Sequence, residues 1–147
     1  MSSGDPNENE SRALVTGRVL IDGEAEGEVM RLAAPLSFWG GVDPATGVIT
    51  QPRHPAHGES VAGKVLAMQR TIGSSSSSAI LLELLHCGKA PAALLLGEPD
   101  AILALGVVVA RELGYPTIPV IHCDVDTLAT GRRVRIRTDD GHGRVLA

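Results

Sequence analysis

The sequence predicts a mixed α/β (α+β) domain with a compact, barrel-like sheet and two main buried helices. Two observations carry this prediction. Short aliphatic runs bounded by turn residues alternate with two longer apolar segments of helical length in the middle of the chain. Both ends of the chain instead show the alternation of half-buried antiparallel strands. Because aromatic residues make up only 2% of the chain, the core must be aliphatic.

Both ends of the folded region are predicted to form antiparallel β-structure. Near the N-terminus, "ALVTGRVLI" and "GEVMRL" flank a turn at Asp22-Gly23 and predict a hairpin-like opening. The last residues, "GRRVRIRTDDGHGRVLA", alternate on either side of a glycine-containing turn and predict a terminal hairpin, whose arginines we interpret as the solvated face of a strand. Residues 1–12 are predicted to be a disordered tail, which leaves a single domain over residues 13–147.

The centre of the chain predicts a β-α-β-α-β series. The strands are assigned to "KVLAMQ", "PAALLLG" and "YPTIPVI". The first helix, "AILLELLHC", is apolar on nearly every side, which predicts that it is buried, and it should stop at Gly88. The second helix opens with Pro99 and Asp100 and closes at Gly114. Before this series, residues 34–60 form a long proline- and glycine-rich loop with a short strand expected at residues 47–50.

The composition argues against several classes of function. A net charge of −4 and the scarcity of aromatic residues disfavour nucleic acid as a partner, because phosphates need a basic surface and bases need a stacking surface. The longest apolar run, residues 101–110, is too short to span a bilayer, and the first residues do not resemble a signal peptide. We therefore expect a cytoplasmic protein with no membrane partner, in which the thiols of Cys87 and Cys123 stay reduced.

The run "GSSSSSAILLELL" has two interpretations. In one, it is a Gly-Ser loop in which one serine caps the following helix. In the other, it is a site, because Gly73 lets the backbone turn sharply towards a ligand and the first-turn N–H groups of the helix have no intrahelical partners. Such a turn can hold a carboxylate or phosphate, and it can stabilise a serine alkoxide that acts as a base.

Two further stretches lie in the long loop. "PLSFWGGVDPATGVI" holds the Phe and the Trp of the chain and is either a turn-rich loop anchored by aromatic side chains or a surface for a ligand or partner subunit. In "QPRHPAHGES", His54 and His57 have no further metal ligands at suitable spacing, so we interpret Arg53 and the histidines as contacts to an anionic substrate or a partner. Two cysteines also fall short of the ligands of an iron–sulfur cluster, so no metal site is expected in this chain.

These stretches resemble the small subunit of the aconitase X family in their order and spacing. The matching strings are "PLSFWGGVDPATGVI", "RHPAHGESVAGKVL", "GSSSSSAILLELL" and "APAALLLGEPDAILALGVVVARELGYPTIPVI", about 90 residues in all. The resemblance implies a swivelling β/β/α domain like that of aconitases. It also implies a larger partner subunit, which carries an iron–sulfur cluster and most of the site for a small hydroxy-acid substrate.

The resemblance assigns a role to one serine. The family's catalytic serine follows the glycine that ends "KVLAMQRTIG", which makes Ser74 the proton acceptor in a hydro-lyase reaction. Gly73, Ser75, Ser76 and Arg53 are then candidates for binding the substrate, while iron on the partner acts on the leaving hydroxyl. Known activities of the family are dehydration of cis-3-hydroxy-L-proline and of mevalonate 5-phosphate, and the serine-rich segment looks more like the hydroxyproline enzymes.

Two alternatives outside catalysis remain at this point. A phosphohistidine carrier would need an exposed histidine in the loop that opens the helix, where this chain has serines. A binding module that kept the swivel fold and lost its large partner is compatible with the sequence, because every catalytic role depends on a second chain.

Overall fold

The computed structural model describes residues 13–72 and 75–147, so the tail predicted at residues 1–12 lies outside the described residues. Seven strands close into a barrel in the order β1-β5-β4-β3-β2-β6-β7. The strands are β1 (Ala13–Ile21), β2 (Ala25–Arg31), β3 (Val65–Met68), β4 (Ala93–Leu96), β5 (Val120–Cys123), β6 (Arg133–Asp139) and β7 (His142–Leu146). The helical segments are the short α1 (Phe38–Gly41), whose two middle residues have non-helical backbone angles, and the regular helices α2 (Ser77–Cys87) and α3 (Ala101–Glu112). The predicted mixed α/β barrel with two main helices is confirmed.

The barrel has a parallel part and an antiparallel part. Strands β2, β3, β4 and β5 are parallel neighbours, and α2 and α3 cross over between β3, β4 and β5. Every residue of β3 and β4 is buried, because alternate side chains face either the barrel interior or the helices. This double burial is why these strands appear in the sequence as continuous aliphatic runs.

The hairpin predicted at the N-terminus is wrong. Strand β1 pairs with β5 and β7, whereas β2 pairs with β3 and β6, so the β6–β7 hairpin lies between the first two strands. The link between β1 and β2 is held to β6 instead, where the Gly23 N–H donates to Thr138 Oγ1 at 2.9 Å. The terminal hairpin itself is confirmed, with positive φ at Asp140 (48°) and Gly141 (79°), as a type I′ turn requires.

Local stop signals are placed as the sequence predicts. The helix α2 ends at Gly88, which adopts a left-handed conformation (φ 72°), and the Asp100 carboxylate caps α3 by accepting the Leu103 N–H at 2.9 Å. Two strand predictions differ most from the structure. Strand β5 starts only at Val120, since Pro119 cannot donate to a ladder, and the strand expected at residues 47–50 is reduced to isolated bridges.

The two main helices come into close contact at Gly106 of α3. A Cβ atom built on Gly106 of α3 would come within 2.5 Å of the Ser78 carbonyl oxygen in the first turn of α2. Glycine is therefore needed at this crossing, and α3 supports the start of α2 directly. In the described residues no helix combines the length and the apolarity needed to cross a membrane.

Candidate functional site

The candidate site lies where the parallel strands end. Because β3, β4 and β5 run in the same direction, the segments that follow them meet at one edge of the barrel. These segments are residues 69–72, 97–100 and 124–126. The serine segment, defined here as residues 73–78, follows β3 at this edge and leads into α2. Its first two residues, Gly73 and Ser74, lie outside the described residues.

The chain that enters the serine segment is anchored on two sides. Thr71 forms a parallel bridge with Leu36, and the Ile72 N–H donates to the Leu36 carbonyl at 3.0 Å. On the other side, Thr71 Oγ1 donates to Asp100 Oδ2 at 2.5 Å. Because the second oxygen of the same carboxylate caps α3, the entry to the serine segment is tied to the start of that helix.

The chain that leaves the serine segment is also held. Ser77 is buried, and its Oγ accepts the Trp39 N–H at 3.4 Å. Ser78 Oγ donates to the Ser75 carbonyl at 2.9 Å. Ser76 occupies the N-cap position of α2, but within the described residues its side chain makes no capping hydrogen bond, unlike the serine cap considered from the sequence. The positive end of the α2 dipole thus faces the strand-end edge.

The residue that contacts Ser77 belongs to an exposed turn. Trp39 (φ −73°, ψ 115°) and Gly40 (φ 74°, ψ −10°) have the backbone angles of a type II turn, in which the second position favours glycine. The Trp39 side chain is 58% exposed, whereas Phe38 is fully buried. The two aromatic residues of this loop therefore have different roles: Phe38 anchors it in the core and Trp39 presents a surface beside α2.

Two open cavities occupy the strand-end edge. The smaller, about 240 Å³, is lined by Arg70, Thr71, Glu98, Pro99 and Asp100. The larger, about 480 Å³, is lined by Gln69, Gly97, His122, Cys123, Asp124 and Asp126. Arg70 is exposed and makes no ion pair within the described part of the chain, so its guanidinium is available to an anion.

The larger cavity was missed by the sequence analysis. His122 points its Nε2 at the Gly97 carbonyl, 3.0 Å away, and the two aspartates follow directly in the chain. The available signal was positional: these polar residues come at or just after the end of a buried parallel strand, as ligand-binding residues of α/β sheets do.

Comparison with known proteins agrees with this architecture. A family model described as the aconitase X swivel domain matches residues 14–145. The chain belongs to this family. The crystal structure of Thermococcus kodakaraensis aconitase X in its holo-form superposes with a TM-score of 0.80 at 39% identity, covering 90% of this chain and 98% of that one.

Two kinds of relative in the aconitase X family are similar to the chain. The phosphomevalonate dehydratase small subunit of Thermococcus gammatolerans is 45% identical over 130 residues, which cover 88% of this chain and 95% of the relative. The cis-3-hydroxy-L-proline dehydratase of Pseudomonas aeruginosa is 46% identical over 107 residues, but these are 73% of this chain and only 18% of the relative. The swivel domain thus occurs both as a small subunit and as part of a much longer protein.

An iron–sulfur cluster does not fit the described residues of this aconitase X domain. They contain no group of three His, Cys, Asp or Glu side chains placed to hold a metal ion. Cys87 is exposed at the end of α2, and its hydrogen bond to Glu83 raises the pKa of the thiol. Burial raises the pKa of Cys123 to about 11. Both thiols therefore disfavour the thiolate form that a cluster requires.

His54 and Arg53, two residues of the loop before β3 that were predicted to contact a substrate or partner, have different surroundings in the structure. His54 is buried, with Nδ1 accepting the Ala56 N–H at 3.0 Å and Nε2 lying 3.1 Å from the Ala34 carbonyl. Since Nδ1 accepts, the ring proton is on Nε2, and both nitrogens are occupied. The interpretation of His54 as a substrate contact is wrong. Arg53 is exposed with a positive φ of 61° and stays a prediction.

Proposed function

We propose that this chain is the small subunit of an aconitase X-type hydro-lyase that dehydrates a small hydroxy acid. The observation that carries the proposal is the placement of the serine segment's flanks at the edge where three parallel strands end, each flank fixed by its own hydrogen bonds. A catalytic base needs such fixed flanks, because its reach to the substrate proton must be held within a fraction of an ångström.

In this proposal Ser74 is the base. Its deprotonated oxygen takes the proton from the substrate carbon, the electron pair of that C–H bond forms the new double bond, and the hydroxyl leaves from the neighbouring carbon. The N–H groups of Ser75 and Ser76, which lie just before the first residue of α2 at its positive end rather than in its first turn, stabilise the alkoxide or hold the substrate carboxylate. Gly73 permits the close approach of backbone to substrate.

The large subunit completes the enzyme. The names of the relatives as small subunits support a larger partner, and the poor fit of this chain's thiols supports a cluster carried there. The cluster would supply a Lewis acid for the leaving hydroxyl. We propose a cytoplasmic complex, in which the exposed Cys87 stays reduced.

Two cations of this chain are candidates for the anionic groups of the substrate. One is Arg53, and the other is Arg70, which lines the smaller cavity next to Thr71. Carboxylate and phosphate both accept paired N–H bonds from a guanidinium. A substrate with a phosphate would use both arginines, whereas a hydroxy amino acid would need one.

We propose cis-3-hydroxy-L-proline as the first substrate to test, on the serine-rich segment and the similarity to the Pseudomonas enzyme. Mevalonate 5-phosphate is the second, favoured by the similarity to the Thermococcus small subunit along nearly its whole length.

The experiment is an anaerobic assay of the complex formed by co-expression with the large subunit encoded in the same genome. Both hydroxy acids are offered to complexes made with wild type, Ser74→Ala and Ser75→Ala. Ser74→Ala should lower kcat by about 10²–10⁴-fold, the range for loss of a general base, with the complex intact. Ser75→Ala should mainly raise KM.

A non-catalytic module would behave differently. If Ser74→Ala keeps near-normal turnover, the serine is not the base, and if the wild-type complex dehydrates neither compound, the proposed reaction is wrong. A swivel-fold binding module would then describe the chain better.

A further inference from the structure

In residues 13–72 and 75–147, the large apolar side chains that are exposed lie on the helix side of the barrel or in the loops beside it. Among the described residues seven large apolar side chains are between 42% and 58% exposed. They are Trp39, Ile72, Ile102, Leu105, Val108, Val109 and Leu113, which together are called the apolar face below. Five of them lie on α3 or at its C-cap, and none lies on β1, β2, β6 or β7.

The α3 part of this face forms a stripe. Ile102, Leu105, Val109 and Leu113 are spaced i, i+3, i+7 and i+11, which places them on one line along the outer surface of the helix, about 16 Å long. The opposite surface of α3 is buried in the core that it shares with α2 and the sheet. A surface helix normally turns polar residues outward, so the core does not account for this stripe.

The apolar face borders the serine segment. Ile72 follows Thr71, whose hydroxyl binds the Asp100 cap of α3, and Ile102 lies in the first turn beyond that cap. On the other side, the Trp39 N–H binds Ser77. A body that covers Ile72 and Ile102 would therefore also lie over the smaller cavity, whose lining includes Thr71 and Asp100.

The extent of the apolar face and the length of one relative indicate which partner covers this face. Seven large apolar residues, each about half exposed and mostly on one helix, differ from the singly scattered apolar residues that are normal on a monomer, and a stable interface needs about 800 Å² from each partner. In the Pseudomonas relative the matching region is less than a fifth of a single protein, so there the domain is accompanied by a far larger body. We propose that the apolar face is the surface on which the large subunit docks, an inference that rests on the function proposed above.

The test replaces the centre of the stripe in the small subunit of the complex. Leu105→Glu and the double variant Leu105→Glu/Val109→Glu place a charge on the α3 surface, and Thr16→Glu is the control. Thr16 is also exposed, lies on β1, and faces Arg144 of β7 across the ladder. Affinity for the purified large subunit is measured by titration, and the thermal unfolding midpoint of each isolated small subunit is recorded.

The expected result is a fall in affinity of at least 100-fold for the double variant, with Thr16→Glu within threefold of wild type and all unfolding midpoints alike. Wild-type affinity of the double variant would overturn the docking surface, while dehydration by that complex would leave the proposed function standing. Failure of wild type to bind the large subunit would overturn both. If the face instead holds two copies of this chain together in the intact complex, the proposal is wrong.

Discussion

The two sides of the barrel differ in how their surfaces are built. On the antiparallel side, arginines of β6 pair with glutamates of β2 or of the turn before it, as in Arg133–Glu26 at 3.6 Å and Arg137–Glu24 at 3.1 Å. On the helix side, formed by β3, β4, β5, α2 and α3, the exposed residues include the apolar face, and the strand ends carry two open cavities. The first surface carries ion pairs made within the chain, whereas the second includes an apolar face that the chain leaves uncovered.

The two surfaces are therefore expected to have different roles, the charged one in solubility and the apolar one in binding. Exposed ion pairs add little stability, so the charged surface serves to keep the barrel in water. An exposed apolar stripe is costly in water and is kept where something binds. The helix side is therefore where substitutions should affect activity, and the antiparallel side is where they should affect only folding.

The largest difference between the two sides is expected when one glycine on each side is replaced by alanine. Gly106→Ala would place a Cβ 2.5 Å from the Ser78 carbonyl oxygen, and Gly27→Ala would place one 2.8 Å from the Gly63 carbonyl oxygen. Each should lower the free energy of unfolding by about 1–3 kcal/mol through overpacking. Gly106→Ala should also lower kcat of the complex at least tenfold, because it displaces the start of α2.

Denaturant unfolding and anaerobic turnover measure the two effects. Equal loss of kcat in both variants would mean that the two sides are not functionally distinct.

The boundary between the two sides, where β5 pairs with β1, contains a buried thiol that should make the protein less stable at alkaline pH. Cys123 lies on β5 beside β1, and burial raises its pKa to about 11 from the ordinary 9.0. Between pH 9 and 11 the unfolded chain loses the proton while the folded chain keeps it, so this contribution to stability is present below pH 9 and disappears by pH 11. The expected loss is about 2–3 kcal/mol.

Unfolding free energies under reducing conditions at pH 8.5 and 11 check this, with Cys123→Ala as the comparison. An identical pH dependence in the variant would show that the thiol contributes nothing.

The link between Thr71 and Asp100 should matter mainly for activity. Asp100→Ala removes the cap of α3 and should lower the free energy of unfolding by about 1 kcal/mol. Thr71→Val removes only the hydrogen bond to Asp100, so it should lower kcat with little change in KM or stability, and Thr71→Ser should restore kcat.

A steady-state series of these three variants in the complex separates the roles. If Thr71→Ser is as impaired as Thr71→Val, the hydroxyl is not what positions the serine segment.

The smallest effect is expected on the charged surface. Glu24→Gln removes the exposed partner of Arg137 and should change the free energy of unfolding by less than about 1 kcal/mol, with no change in turnover. Measurement at low and high salt provides the control, since the small difference should vanish when charges are screened. A loss of activity in Glu24→Gln would contradict the division of the surface.

The sequence predicted features that depend on neighbouring residues. The Gly88 stop, the Asp100 cap and the terminal hairpin are local signals, and all three are present. The separation of β1 from β2 depends on pairing between distant segments, which no local pattern reports. The same holds within the site, where the contacts of Thr71 with Asp100 and of His54 with Ala34 join residues far apart in the chain.

The position of the serine segment after β3 followed from a strand, a glycine and a helix in succession. The role of Ser74 came from the resemblance alone and stays a prediction.

The most direct test of the account compares backbone hydrogen exchange of the small subunit alone and in its complex with the large subunit. We expect slower exchange in the complex at the turn around Trp39, at residues 97–102 and along α3, with little change in β6 and β7. Protection confined to the β6–β7 hairpin, with the helix side unchanged, would contradict the claim that the helix side is the working surface.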